Sequence, residues 1–315
     1  MTTEETVLAA SITFNPTKLQ LHRTLENIRV CSGVRAVFDN SDLTSKNQMI
    51  RMACEEAGVI YLGSGHNSGT GVGLNRLIEL ADEKELAWLL YFDQDSLLGD
   101  GFVSAMKACL NARYAGGPIG VIGSSIRRSG TEVVPCDDPP VEYEVVRYAI
   151  ASGTLFSVQG AKVCGGFDED LFLDTVDHEF CLRLRALGWV ALRDNGRVLW
   201  HEVGTDSRET WGQRSFIISR HPKWRRELMW RNSLIIFRRY FRRFPRDMLK
   251  HLMVRTTDTL VCWARYHDSS YVTTAVLGIR AGLSRKSGNV ARKYVGILEE
   301  GRRDVTISPL SGHLE

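Results

Sequence analysis

Four unbroken apolar runs, each closed by a polar loop and followed by a helix-period stretch, constrain this chain more than any other feature. They are TVLAASITF (6–14), VRAVF (34–38), VIYL (59–62) and LAWLLYF (86–92). A strand that is apolar at every position is buried on both faces. Between the runs, Leu21, Leu25 and Ile28 recur at helical spacing, then Met49, Ile50 and Ala53, then Leu74, Leu77, Ile78 and Ala81. A further helix is expected near 101–114 and a fifth strand at IGVIG (119–123). This alternation implies an α/β fold: a mostly parallel, Rossmann-like central sheet with helices on both faces. Ligands of such sheets bind beyond the carboxyl ends of the strands. The loops NPT, DNSD, GSGHNSGTG and DQDS should gather along that one edge.

Beyond residue 125 the pattern is less regular. EVVRYAIASGTLFSV (144–158) reads as two strands around ASG, 176–187 as a helix, and WVALR and GRVLW (189–200) as two short strands. From about residue 224 the chain reads as helical, interrupted at Pro245. The expected organisation is an α/β body, 1–220, and a helical C-terminal region, 221–315. Charge divides the same way. Residues 1–219 hold 20 Lys/Arg and 29 Asp/Glu, whereas residues 220–315 hold 20 and 8. A basic region of this kind suits an anionic partner, membrane or nucleic acid, or else forms a solvated helical surface. No apolar run approaches the roughly 18 residues of a membrane span. The start MTTEETVLAA carries acids where a secretory leader would be basic. The seven cysteines are widely spaced, with no C-x-x-C pair. That disfavours a disulfide framework or zinc site and fits a reducing, cytoplasmic location.

Four local patterns carry chemistry. GSGHNSGTGVG follows a strand and opens a helix, but its glycines miss the dinucleotide spacing and no Walker lysine follows. A loop so rich in glycine lets backbone approach a ligand closely. In YFDQDS, Asp93 and Asp95 are two residues apart, so in an extended segment they face one way. At roughly 5 Å and an effective dielectric near 20, their charges repel by about 3 kcal/mol. A divalent cation bridging a diphosphate would offset that repulsion; helix capping by Asp95 or Ser96 is the alternative. FLDTVDHEF places Asp174, Asp177 and Glu179 at a helix start. There an acid either complements the helix dipole or serves as a general base. His201 closes the strand GRVLW, where an imidazole can complete a metal shell or meet a phosphate.

Together these segments resemble family 2 glycosyltransferases of the GT-A fold, and more narrowly bacterial rhamnosyltransferases that use a thymidine-diphosphate sugar. The resemblance covers roughly residues 6–240. SITFNP resembles the family's T-Y-N-P, with Phe14 in place of Tyr. VFDNSD, HNSGTGVGLNRLI, DQDS, GGFDEDLFLDTVDHEFCLRLRALGW, WHEVG and RNSLIIFRRY resemble its later segments in order. The resemblance implies that Thr13, Asn15 and Asp39 lie at the nucleoside, and Asn67, Gly69 and Asn75 near the base and diphosphate. It puts Asp93 near the pentose, Asp95 on a divalent metal (Mg²⁺ or Mn²⁺), and His201 on metal or diphosphate. Asp177 becomes the catalytic base. The family often has Glu-Asp there, but Val176 precedes Asp177 here, leaving Asp174 and Glu179 as substitutes on the acceptor side. Arg231 and Asn232 are expected at the acceptor.

The implied activity is inverting transfer of L-rhamnose from dTDP-L-rhamnose to a lipid-linked or polysaccharide acceptor, such as a polyprenyl-diphosphate glycan, in cell-surface glycan synthesis. The basic C-terminal region would then lie at the inner face of the cytoplasmic membrane as a peripheral contact. A UDP-hexose donor on the same fold is the nearer alternative. A nucleotidyltransferase would need a basic, Gly-rich first loop, which FNPTKLQ lacks. A nucleic-acid-binding protein would use the basic tail, but the acidic body and the lack of a binding motif disfavour that partner.

Overall fold

The computed structural model describes residues 6–110, 112–128, 143–201, 206–211, 214–219 and 221–284. Strands β1 (Val7–Thr13), β2 (Val34–Asp39), β3 (Ile60–Gly63) and β4 (Trp88–Asp93) alternate with helices α1 (Lys18–Cys31), α2 (Thr44–Glu56) and α3 (Thr70–Glu83). These strands pair in the order β3-β2-β1-β4, all parallel. Helical crossovers return the chain to the same end of the sheet each time, so parallel pairing follows.

The expected strands and helices of the first 125 residues are present; the fourth helix is shorter, α4 (Phe102–Cys109). A three-residue strand, β5 (Ser96–Leu98), follows directly after Asp95. Then come β6 (Ile119–Arg128), β7 (Tyr143–Val146), β8 (Thr154–Ser157), α5 (Val158–Cys164), α6 (Val176–Ala186) and β9 (Val190–His201). The two strands around ASG are thus β7 and β8. The two short strands expected at 189–200 are one, β9, because residues 195–197 loop out as a bulge where its register to β6 shifts. The sheet runs β3-β2-β1-β4-β8-β6-β9-β5, with β7 also on β9. Past β4 it is mixed: β8 is antiparallel to both β4 and β6.

The continuous apolar strands mean what the pattern implied. Alternate residues of β1 divide between two cores. Leu8, Ala10 and Ile12 pack with α3 and α6 residues such as Leu74 and Phe180. Val7 and Ala9 pack with α1, α2 and α4 residues such as Ile28, Ile50 and Met106.

The C-terminal part is a hairpin, β10 (Asp206–Trp211) with β11 (Arg214–Ser219), and three helices: α7 (Lys223–Tyr240), α8 (Pro245–Tyr266) and α9 (Ser270–Leu283). Pro245 opens α8 at its first position, where the missing N–H costs nothing. Ile236 of α7 and Met248 of α8 are fully buried in the same core as α3 and α6. Asp247 also binds Arg185 at 3.0 Å and Arg147 at 3.1 Å. α9 lies flush on α7: a Cβ at Gly278 would collide with the Glu227 carbonyl oxygen, so only glycine permits that approach. The six cysteines among the described residues are buried thiols. No helix of the described residues is long and apolar enough to cross a membrane.

Candidate active site

The register gathers the polar strand ends at one level. Thr13 pairs with Asp39, Asp39 with Gly63, and Ile12 with Asp93. The two-residue strand period then sorts them by face. Asp39 follows Val37 onto the α2 side. Its Oδ1 accepts from Ser41 N at 2.9 Å, and its Oδ2 from Asn47 Nδ2 at 2.8 Å and Tyr61 OH at 3.0 Å. Burial and this carboxylate push the Tyr61 hydroxyl up to about 12. Asn15 has φ of 45°; its N–H donates to Ser41 Oγ at 2.8 Å and its Nδ2 to Asp42 at 2.8 Å. The buried Thr13 Oγ1 and Asn15 Oδ1 find no hydrogen-bond partner among the described residues. Unpaired polar atoms buried at a strand edge are uncommon, and a ligand with donors would satisfy them.

Asp93 follows Tyr91 onto the other face, where Tyr91 OH donates to its Oδ1 at 2.7 Å. It lines a cavity of about 510 Å³ together with Thr70, Asp174, Thr175, Asp177 and Arg225. The residue between the two acids points elsewhere: Gln94 Oε1 accepts from Phe14 N at 2.8 Å, stapling the loop to the end of β1. Buried Ser152 supplies a second staple, accepting from Asp93 N at 3.0 Å and sharing a 2.6 Å hydrogen bond with Ser96 Oγ.

Asp177 stands in the first turn of α6, facing the cavity. Its Oδ2 accepts from Ala151 N at 3.1 Å and its Oδ1 from His178 N at 2.8 Å. Burial raises its pKa to about 6 against those two hydrogen bonds, and the charges of Asp93 and Asp174 raise it further. A carboxylate tuned upward in this way takes a proton more readily than a free one.

The approach to α6 is strained. Phe172, Asp174 and Thr175 have φ of 62°, 53° and 64°. Such conformations cost of order 1–3 kcal/mol each for non-glycine residues and persist only when surroundings enforce them. Three devices do so. Buried Asn232 directs its Nδ2 to the carbonyls of Leu171 (2.9 Å), Leu173 (2.7 Å) and Asp174 (2.9 Å). Arg231, also buried, donates to the Asp170 carbonyl at 2.9 Å. Arg225 forks onto the Asp174 carboxylate from Nε (3.0 Å) and Nη2 (2.9 Å). The charges of Asp174, Asp93 and Asp95 all act on this guanidinium.

The residues expected at the site therefore separate. Asp93, Asp174 and Asp177 share the cavity wall; Thr13, Asn15 and Asp39 sit at the adjoining strand ends. Arg231 and Asn232 lie behind the wall. Glu179 is buried away from the cavity lining, between Arg183 Nη2 (2.7 Å) and Tyr240 OH (2.6 Å). Asn75 clamps the loop after α5, with Oδ1 on Phe167 N at 2.6 Å and Nδ2 on the Phe167 carbonyl at 3.0 Å. Asn67 Oδ1 accepts from Gly69 N at 3.1 Å. The glycine of this loop serves chain-to-chain contact: at φ of 92°, a Cβ on Gly69 would lie 2.7 Å from the Phe172 carbonyl oxygen. Sequence reasoning missed Arg225, Ser152 and Gln94. Only Gln94 left a signal, since strand alternation turns it away from its two acidic neighbours.

A divalent metal needs a closer look. Among the described residues no group of three or more His, Cys, Asp and Glu side chains is arranged to hold one. The β5–β9 register sets His201 opposite Ser96, one residue from Asp95; the His201 side chain lies outside the described residues. Two carboxylates near the end of one strand are oxygen ligands of the kind that suits Mg²⁺ or Mn²⁺.

No family model matches the chain. Among curated proteins, the dTDP-rhamnosyl transferase RfbF of Shigella flexneri is 26% identical over 248 residues, covering 74% of this chain and 80% of that protein. Among solved structures, a Pyrobaculum calidifontis mannosyltransferase in complex with GDP-Man and Mn²⁺ superposes with a TM-score of 0.55 at 13% identity, covering 96% of this chain and 81% of that one. S. aureus TarS gives 0.53 at 12% identity, covering 95% of this chain and 53% of that one. The chain thus has the fold of the GT-A glycosyltransferases and is similar in sequence to a dTDP-rhamnosyl transferase.

Proposed function

We propose that the chain is an inverting rhamnosyltransferase that moves L-rhamnose from dTDP-L-rhamnose to a hydroxyl of a lipid-linked or polysaccharide acceptor in cell-surface glycan synthesis. The carrying observation is Asp177: a carboxylate raised to about 6, on the wall of a cavity it shares with Asp93. The acceptor oxygen attacks the anomeric carbon while the bond from that carbon to the diphosphate breaks. The hydroxyl proton passes to Asp177, and dTDP leaves with the electron pair. One displacement inverts the anomeric centre. The backbone bonds from Ala151 and His178 hold the base in place before reaction.

The unpaired Thr13 Oγ1 and Asn15 Oδ1 support a nucleoside subsite beside Asp39. Asp93, anchored by Tyr91, would meet the pentose. Asn67, Gly69 and Asn75 act on the loop edge of that subsite, Asn75 and Gly69 chiefly by shaping it. Asp174, Arg231 and Asn232 hold the acceptor wall, and Glu179 ties α6 to α7. A divalent ion bound by Asp95 and His201 would supply charge stabilisation for the leaving diphosphate. The thymidine donor rests on the relationship to the Shigella enzyme.

Calorimetric titration of dTDP, with UDP in parallel, with and without Mg²⁺, on wild type and Asp95→Ala, tests this reading. Metal-dependent dTDP binding that weakens for UDP and is lost in Asp95→Ala is the expected result. Equal binding of both nucleotides would overturn the thymidine donor and favour a UDP-hexose. No binding of either would overturn the transferase assignment of this cavity.

A further inference from the structure

The outer layer of the C-terminal helices has a composition that the catalytic cavity does not explain. α8 buries Met248 and Cys262 and turns partly buried Arg255 to the same side, a stripe that repeats every seven residues. Its opposite stripe carries Leu249, Met253, Leu260 and Trp263, all exposed. α9 repeats the arrangement. Tyr271, Thr274, Ala275, Gly278 and Gly282 face inward, while Val272, Val276 and Leu283 face outward. These seven apolar side chains are between 39% (Val272) and 61% (Met253) exposed. Single exposed apolar residues are ordinary on a protein surface; a run of them along two packed helices marks an interaction site.

The exposed charges along the two helices are basic. Arg242, Arg246, Lys250 and Arg280 are exposed. Of the three acids of residues 241–284, two are enclosed and the third, Asp268, lies in the turn between the helices. Asp247 is held by Arg147 and Arg185, Asp258 lies beside Arg255, and Asp268 accepts from Ser270. Residues 223–284 carry 13 Lys/Arg against 4 Asp/Glu. An apolar stripe set among exposed arginines and lysines, with a tryptophan at its edge, matches the headgroup layer of a bilayer: apolar atoms enter the acyl boundary and cations meet phosphates. A second copy of the chain is a poorer match. An isologous contact would set this basic surface against itself, and like-charge juxtaposition opposes association.

We propose that the outer face of α8 and α9 docks on an anionic lipid bilayer. The surface is preformed, because α8 and α9 are fixed to the body through Met248, the Asp247 ion pairs and the Gly278 contact with α7. Vesicle binding through it requires nothing of the catalytic cavity, so the proposal stands or falls apart from the transferase reading.

The test is co-sedimentation of the full chain with vesicles of phosphatidylcholine alone, and of phosphatidylcholine with phosphatidylglycerol. Binding to the anionic vesicles only is expected. Removing one exposed cation, as in Lys250→Ala, should lower partitioning about fivefold, from roughly 1 kcal/mol per basic residue near the surface. Met253→Glu combined with Trp263→Glu should abolish it. Met52→Glu, at an equally exposed apolar position on α2, should leave binding unchanged. All the substituted side chains are exposed, and an unshifted thermal midpoint verifies that each variant is folded. Failure of wild type to bind anionic vesicles would overturn the proposal, as would equal loss in Met52→Glu or full binding by the α8 variants. A concentration-dependent dimer in sedimentation, dissociated by Met253→Glu, would overturn it in favour of a second copy.

Discussion

Replacing the proposed base by its neutral isostere should disable the protein and remove a pH-dependent destabilisation whose size is calculable. Asp177 has a pKa raised from 3.8 to about 6 in the fold. Its ionisation therefore opposes folding. Between those two values the unfolded chain has lost the proton and the folded one keeps it, so stability falls as pH rises through the window. The shift is worth about 3 kcal/mol over the full window. Asp177→Asn removes this slope. It also loses one of the two hydrogen bonds, because an amide oxygen cannot serve both Ala151 N and His178 N while the amide nitrogen faces the other donor. That loss costs about 1–3 kcal/mol, but it is the same at every pH. The difference between two pH values isolates the electrostatic part. The gap in unfolding free energy, variant minus wild type, should grow by about 2 kcal/mol from about pH 4.5 to about pH 7.5. His178 and His251, whose burial lowers them to about 4 and about 3, titrate in both proteins and cancel. Urea unfolding followed by circular dichroism at the two pH values measures the gap. A gap that stays constant or shrinks would refute the argument that burial of Asp177 dominates its two hydrogen bonds. In the same variant donor turnover should drop by a factor of about 10²–10⁴, the usual contribution of a general base, with nucleotide affinity retained.

Other outcomes follow from the strained segment before α6. Asn232→Ala leaves three buried carbonyls without their shared donor and should cost about 2–4 kcal/mol in urea unfolding, with turnover falling more than nucleotide affinity. Arg225→Ala strands the Asp174 carboxylate, which is 13% exposed, and should lower stability by about 2 kcal/mol. Arg225→Lys should recover only part of that in the same melt, since an ammonium cannot fork onto both carboxylate oxygens. Gly69→Ala sets a methyl 2.7 Å from the Phe172 carbonyl oxygen at φ of 92°. It should lower the thermal midpoint and raise the KM for donor; an unchanged midpoint would mean the loop relaxes freely.

Much of the architecture was legible because its causes are local. The apolar runs of β1, β2, β3 and β4 and the spacing of Leu74, Leu77, Ile78 and Ala81 are set by burial on both faces of a sheet and one face of a helix. The edge that carries the site then follows from parallel connection alone. The joining of 189–200 into one strand was not legible, because the bulge at 195–197 is decided by the register to β6. The glycine-rich loop was open to misreading for a related reason. Its composition signals close approach, but whether to a ligand or to another piece of chain depends on where Phe172 falls, 103 positions away.

Three acids, Asp174, Asp177 and Glu179, shared one short sequence motif, and only the family resemblance set Asp177 ahead of the other two as the expected base. Residue order along the chain could nominate them, since side-chain chemistry and helix-start position are properties of the sequence itself. The packing gives each of them different surroundings. Asp174 is neutralised by Arg225, arriving from 51 residues later. Glu179 faces the buried side of its helix and is spent on Arg183 and Tyr240. Asp177 alone combines burial, cavity exposure and no cation bonded directly to it among the hydrogen bonds described. The sequence by itself determined which groups are available and which strand ends bring them together. The tertiary structure decided their surroundings and so their proton affinity, because that affinity depends on the solvent, donors and charges within a few ångströms, and those come from distant parts of the chain.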